Sequence, residues 1–216
     1  MKLRKSTYAI YFLILFYVVG VIGFILPQTH ALFSTLTPFA LLLSAGFLAF
    51  FHTPGYNVKT LVVFLTIFVV SFFAEVIGVY TGVLFGEYIY GGGLGLKILD
   101  TPLMIGLNWL MLVYSTKVIA DKITPHPFSR LFAGPLLMVG YDLILEQAAP
   151  LLGMWDWAGG TVPVRNYIAW FLLAFLFHFI MRKAKVEFKN PLATAVFSIQ
   201  FLFFVILVLV FRLDYT

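Results

Sequence analysis

The sequence predicts an all-α polytopic membrane protein, a bundle of about seven transmembrane helices. Three observations carry this expectation. Of 216 residues, 62% are hydrophobic and only 11% charged, whereas a soluble domain has about 45–50% apolar and about 25% charged residues. Mean hydropathy is +1.02. Most of the chain falls into apolar runs of about 20 residues, the length a helix needs to cross roughly 30 Å of hydrocarbon.

The first run, 8–26, follows Lys2, Arg4 and Lys5. A signal peptide has the same charge pattern, with Thr29-His30-Ala31 as its cleavage site, but an h-region has only about 7–15 apolar residues, so this run is read as a span. The remaining spans are expected at 31–51, 60–80, 101–119, 131–152, 166–181 and 192–212. The longest connections are 81–100 and 153–165. In the first of these, Tyr88 and Tyr90 beside Gly91-Gly92-Gly93 fit a turn or a short interfacial hairpin, because alternating aromatics suit a strand and glycines a tight bend. With no internal repeat or linker, residues 1–216 form one integral membrane domain.

Lys and Arg concentrate in cytoplasmic loops. Lys2, Arg4, Lys5, Lys59, Lys117, Lys122, Arg130, Arg182, Lys183, Lys185 and Lys189 fall on one side, eleven against Lys97, Arg165 and Arg212 on the other. The N-terminus is therefore expected inside and the C-terminus outside a cytoplasmic membrane of bacterial or archaeal type. The net charge of +5 belongs to this topology, and nucleic acid is not an expected partner. Acidic residues fall oppositely: Glu75, Glu87, Asp100, Asp142, Glu146, Asp156 and Asp214 lie outward, with only Asp121 and Glu187 inward. Topology rules give acids little weight, so the asymmetry points to a site in the outer half.

Asp142 and Glu146, four apart, share one helix face about 6 Å apart. Near the bilayer centre each costs at least roughly 2.5–3.5 kcal/mol if ionised, so the pair should face the bundle interior with at least one member protonated. It is read either as a helix tie or as a proton donor. Glu75, at similar depth, is either a third carboxyl of the same chamber or an interfacial one. Asn108-Trp109 and Asn166 with Trp170 bring amides and indoles to that level. Trp155 and Trp157 resemble interfacial belt aromatics, and Arg165 a snorkelling anchor. The absence of cysteine excludes disulfides and thiolate chemistry, and His30, His52, His126 and His178 are too scattered for a metal site. No cofactor or metal is expected. A neutral acid in a dry, aromatic-rich interior suits a lipophilic substrate and protonation of an alkene, whose cation ring faces stabilise.

The stretches Glu75-x-x-Gly78-x-x-Thr81-Gly82-x-x-Phe85-Gly86-x-Tyr88-x-Tyr90, Pro102-x-x-x-Gly106-x-Asn108-Trp109, Tyr141-Asp142-x-x-x-Glu146, Gly153-x-Trp155-x-Trp157 and Val162-Pro163-x-x-Asn166-Tyr167-x-x-Trp170 resemble the CruF-type carotenoid hydratase family. The resemblance implies cofactor-free addition of water to the terminal C1=C2 double bond of an acyclic carotenoid end group, as in lycopene, γ-carotene or bisanhydrobacterioruberin. It makes Asp142, Glu146 and Glu75 the catalytic candidates and places Trp109, Trp155, Trp157, Trp170 and Tyr88 around the cation. Thr81, Asn108 and Asn166 would hold the attacking water. Expected partners are the carotenoid, the lipid bilayer and other enzymes of the same pathway. The chain has Glu146-Gln147 where the family pattern carries aspartate followed by proline, which keeps a carboxyl on a longer arm. A membrane cyclase or isomerase using the same protonation is the alternative, and a proton-coupled transporter a more distant one. A retinal protein would need a lysine in its last span, and 192–212 has none.

The topology is checked by reporter fusions. Those after Arg130 and Lys189 should score cytoplasmic and one after Gly93 should not; the inverse pattern would remove the shared outer half of the carboxyls.

Overall fold

The computed structural model describes residues 2–213, so the expected position of Asp214 lies outside the described residues. Seven helices, each long and apolar enough to cross a membrane, make up an all-α bundle: α1 (Lys2–Ile25), α2 (Pro27–Phe50), α3 (Val58–Thr81), α4 (Leu103–Ile123), α5 (Pro127–Ala148), α6 (Val164–Lys183) and α7 (Ala193–Leu213). Helix α1 begins six residues before the expected span 8–26, and α5 is displaced as a whole. It runs Pro127–Ala148 rather than 131–152, because Pro127 suits the first helical turn, where its missing N–H costs nothing. The apolar stretch after Ala148 turns back instead, with the Leu152 and Met154 amides donating to carbonyls of Ala148 and Ala149.

Helix α4 is the centre of the bundle. Of its most apolar window 72% is buried, against 17% for α2 at the periphery. It packs on α3, α5 and α7, while α1 lies against α2 and α7, and α5 against α6. Apolar side chains drive none of this in lipid, where association rests on close packing and interhelical hydrogen bonds. Such bonds are present at mid-depth: the Tyr17 hydroxyl pairs with Ser44 at 2.9 Å and accepts from Gln200 at 2.9 Å, joining α1, α2 and α7.

The end that carries most Lys and Arg, the basic end, is tied by Asp121. It accepts from Lys117 at 2.9 Å and from Arg182 at 3.1 Å, and the Lys117 ammonium sits 4.6 Å from the Phe188 ring centroid. Two histidines are bonded within the scaffold: His52 pairs with the Tyr114 hydroxyl at 3.0 Å and His178 with Thr116 at 3.1 Å.

At the opposite, acidic end, four short strands close the bundle. β1 (Tyr88–Tyr90) pairs antiparallel with β4 (Trp155–Trp157), and β2 (Lys97–Ile98) with β3 (Thr101–Pro102). The expected local hairpin at Tyr88–Gly93 is thus replaced by a long-range ladder. The glycines do not turn the chain back at once. They extend the pairing instead, with the Gly91 amide on Met154 O at 2.9 Å and the Gly93 amide on Gly153 O at 2.8 Å. Only glycine permits this approach: a Cβ on Gly91 would stand 2.3 Å from Gly153 O, and one on Gly93 2.7 Å from Leu152 O.

Gly91→Ala or Gly93→Ala is therefore expected to cost roughly 1–3 kcal/mol, the scale of overpacking a tight contact. Gly92→Ala, whose Cβ meets nothing within 4 Å, should be close to neutral. Thermal unfolding in detergent compares the three.

Candidate active site

The β1–β4 ladder explains how carboxyl groups survive inside the bundle. Side chains alternate across a strand, so the register Tyr88↔Trp157, Ile89↔Asp156, Tyr90↔Trp155 turns four aromatics inward. Ile89 and Asp156 face out and are exposed. Each strand serves one carboxyl. Tyr88 and Tyr90 donate their hydroxyls to Glu75 Oε2 at 2.7 and 2.8 Å. Trp155 and Trp157 donate their indole N–H groups to Glu146 Oε2 at 2.9 and 2.6 Å. The Tyr88 and Trp157 rings meet at 5.0 Å between centroids, which holds the two halves together. Burial first, and then the adjacent Glu75 carboxylate, pushes both phenols well above their ordinary range, so they keep their protons and act as donors at neutral pH.

Helices complete the donor set. Trp109 on α4 donates to Glu75 Oε1 at 2.9 Å and stacks on Trp170 of α6 with centroids 4.3 Å apart. Asn166, in the first turn of α6, bridges two carboxyls: its Nδ2 reaches Asp142 Oδ2 at 2.9 Å and Glu146 Oε1 at 3.1 Å. Glu75, Asp142 and Glu146 are all buried, Asp142 completely. The other Asp142 oxygen, Oδ1, is buried with no partner among the described residues.

A polar chamber of about 20 Å³ lies between these groups. Glu75 and Glu146 line it, with Tyr88, Tyr90, Asn166 and Trp157. Asp142 does not. Beside it runs an apolar cleft of about 200 Å³, and Ile105 and Trp155 belong to the walls of both. The structure therefore brings together Glu75, Glu146, Trp109, Trp155, Trp157, Trp170, Tyr88 and Asn166, with Asp142 one hydrogen bond behind.

Four residues are placed differently from the sequence expectation. Thr81 is exposed and binds its own helix, donating to Ile77 O at 2.6 Å and accepting from the Val83 amide; it ends α3 and does not reach the chamber. Asn108 lines the apolar cleft rather than the chamber, because on α4 it points away from its neighbour Trp109. Trp155 and Trp157 are buried donors, not belt aromatics, since Glu146 needs them. Arg165 is exposed, as an anchor should be. Tyr90 is the contributor to Glu75 that had no role in the sequence reading; its spacing of two from Tyr88 is the signal, as both then share a strand face.

Among the described residues no group of three or more His, Cys, Asp or Glu is arranged to hold a metal ion. What the arrangement offers is two carboxyls facing one water-sized space, held by neutral donors and walled by aromatic rings.

Asn166→Leu should leave Asp142 buried without a donor and cost about 1–3 kcal/mol or more, whereas removing both partners in Asn166→Leu/Asp142→Leu should cost less than the single change. Unfolding of the three proteins in detergent measures this; a double variant no better than the single one would deny the coupling.

No curated protein and no solved structure matches the chain. Over residues 36–214 it matches the model of a family described as carotenoid biosynthesis protein. With most of its length inside that match, and with its membrane bundle enclosing a hydrocarbon-lined cleft beside paired acids, this chain belongs to the carotenoid biosynthesis protein family.

Proposed function

We propose that the chain is a carotenoid hydratase that adds water across the terminal C1=C2 double bond of an acyclic end group. The observation that carries this reading is the chamber shared by Glu75 and Glu146. Its volume of about 20 Å³ suits a single water, which needs at least about 10–15 Å³ and two to four polar partners. Carboxylate oxygens and the Asn166 amide supply those partners. An end group, too large for the chamber, would arrive through the cleft and meet the water at the Ile105–Trp155 boundary.

In this mechanism the Asp142–Asn166–Glu146 unit holds one proton between its two carboxyls, since two charges bridged by one amide inside hydrocarbon are costly. Glu146 is the member that faces the chamber and delivers the proton to C2. The π electrons of the C1=C2 bond form the new C2–H bond, leaving a tertiary cation at C1. The faces of Trp155 and Trp157 stabilise that cation. Water then bonds to C1, and its surplus proton passes to Glu75. The sum is one water consumed and one tertiary alcohol formed. The proton gained by Glu75 returns to Glu146 through the solvent-sized space between them, with no external oxidant or reductant required.

Asp142 acts through Asn166 in this scheme. It sets the geometry of Glu146 and does not touch the substrate. Cyclisation, the second reading, shares the protonation and ends by loss of a proton; a polar space of water size beside the cation favours hydration over it.

Two experiments test the proposal. Expressed in a host that accumulates lycopene or γ-carotene, the chain should yield a product heavier by one water, with the oxygen drawn from isotopically labelled solvent; a product of unchanged mass would replace hydration by cyclisation or isomerisation. Glu146→Gln and Glu75→Gln should each lower turnover by about 10²–10⁴-fold, the usual size of a general acid–base contribution, while Asp142→Asn loses less than either. Near wild-type turnover in both glutamine variants would remove the acid from this chamber. Turnover is also expected to survive chelation.

A further inference from the structure

The apolar cleft beside the chamber has no part in the acid–base chemistry, and it is the larger of the two spaces. At about 200 Å³ it exceeds the roughly 150 Å³ apolar cavity that stays dry and takes up benzene. Its inner walls come from five helices, through residues such as Phe24, Phe33, Ile105, Tyr141 and Phe203. One side is open to the surroundings of the bundle: Val19 of α1 and Leu36 and Phe39 of α2 line it while being 48%, 43% and 56% exposed. These residues lie on membrane-spanning helices, so the opening faces lipid and not water.

Few polar groups line the cleft, and several of them are engaged within the protein. Tyr17 is bonded to Ser44 and Gln200, and Thr37 donates to Phe33 O at 3.3 Å. The wall is mostly apolar, so a hydrocarbon loses nothing by leaving the bilayer for it. Small residues set the cross-section: a Cβ on Gly20 would stand 3.3 Å from the Phe203 ring, and Ala40 faces it from α2.

We infer that this cleft is the binding site for the polyene arm of the substrate, entered sideways from the bilayer between α1 and α2, with Ile105 and Trp155 deciding which double bond reaches Glu146. The inference rests on the proposed hydratase reading for the identity of the ligand. Its geometry makes a separate demand. The arm lies in the cleft, the end group stops at the two shared residues, and only a terminal bond can come within reach of the chamber. An internal double bond has chain on both sides, and a chamber of about 20 Å³ has no room for the second arm.

The test uses the full chain expressed in a lycopene-accumulating host, with two variants that narrow the cleft. Ala40→Trp fills its middle, and Leu36→Trp blocks its mouth from an exposed position where folding is not at stake. Two quantities are read: polyene retained per protein after purification, by absorbance, and the ratio of kcat/KM for lycopene over that for a short acyclic terpene with the same end group. Wild type should retain polyene, and both quantities should fall at least about tenfold in the variants, a range one pocket contact can span. Loss of bound polyene in the variants while no chain hydrates anything would keep the cleft and overturn the hydratase reading. A wild-type chain that carries no polyene, a cleft filled by lipid acyl chains alone, or variants that retain and convert lycopene like wild type would overturn the cleft as the binding site. Should Ala40→Trp not fold, Leu36→Trp decides alone.

Discussion

Three carboxyl groups, those of Glu75, Asp142 and Glu146, sit on helices suited to cross hydrocarbon, where bulk water supplies no hydrogen bonds. Each must find its donors within the protein, and much of the acidic end is shaped by that need. Glu75 takes three donors, two from β1 and one from α4. Glu146 takes three, two from β4 and one from α6. A six-residue ladder is a weak structure by itself. Here its inward side chains are each bonded to a buried carboxyl, so ladder and helices hold each other in place. The glycines at 91 and 93 follow from the same constraint, because they let the two loops lie close enough for both strands to face one chamber.

Asymmetry within the donor sets separates the three acids. Glu75 and Glu146 have both oxygens bonded and both line the chamber, whereas Asp142 has one oxygen on Asn166 and one with no partner among the described residues. Asn166 is thus the hinge of the site: a single amide nitrogen connects the acid that faces the chamber to the one that does not. In the proposed chemistry this makes Asp142 a positioning group for Glu146. The pairing of a polar space of water size with an apolar cleft ten times larger also explains why the aromatic residues divide as they do. The chamber is bordered mostly by tyrosines and tryptophans that donate to its carboxyls, and the cleft mostly by phenylalanines and aliphatic side chains.

The basic end contrasts with this. Asp121 there is met by Lys117 and Arg182 within 3.1 Å, so its charge is compensated by ion pairs rather than by neutral donors. Charged partners suit a group that must remain fixed. Neutral phenol, indole and amide donors can hold a carboxyl without neutralising it outright, which leaves proton exchange open to it.

The sequence by itself determined the number of helices, their order and the residues that carry polar chemistry into the bundle. Apolar length and the spacing of Asp142 and Glu146 are local properties, and local properties are written along the chain. The family-like stretches held the same carboxyls, tryptophans and Asn166 that line the chamber or stand behind it. Only the tertiary structure decided the rest. Tyr88–Tyr90 finds its partner at Trp155–Trp157, with a separation of 65 positions from Tyr90 to Trp155 at the near ends, which no turn signal predicts. Thr81 lies in a matching stretch yet faces outward, because the helix ends there and its hydroxyl satisfies the last turn. The partition of Glu75 and Glu146 from Asp142, and the cleft that five helices enclose, depend on rotations of packed helices about their axes. Those rotations are set by contacts between distant residues, and periodicity within one helix carries no record of them.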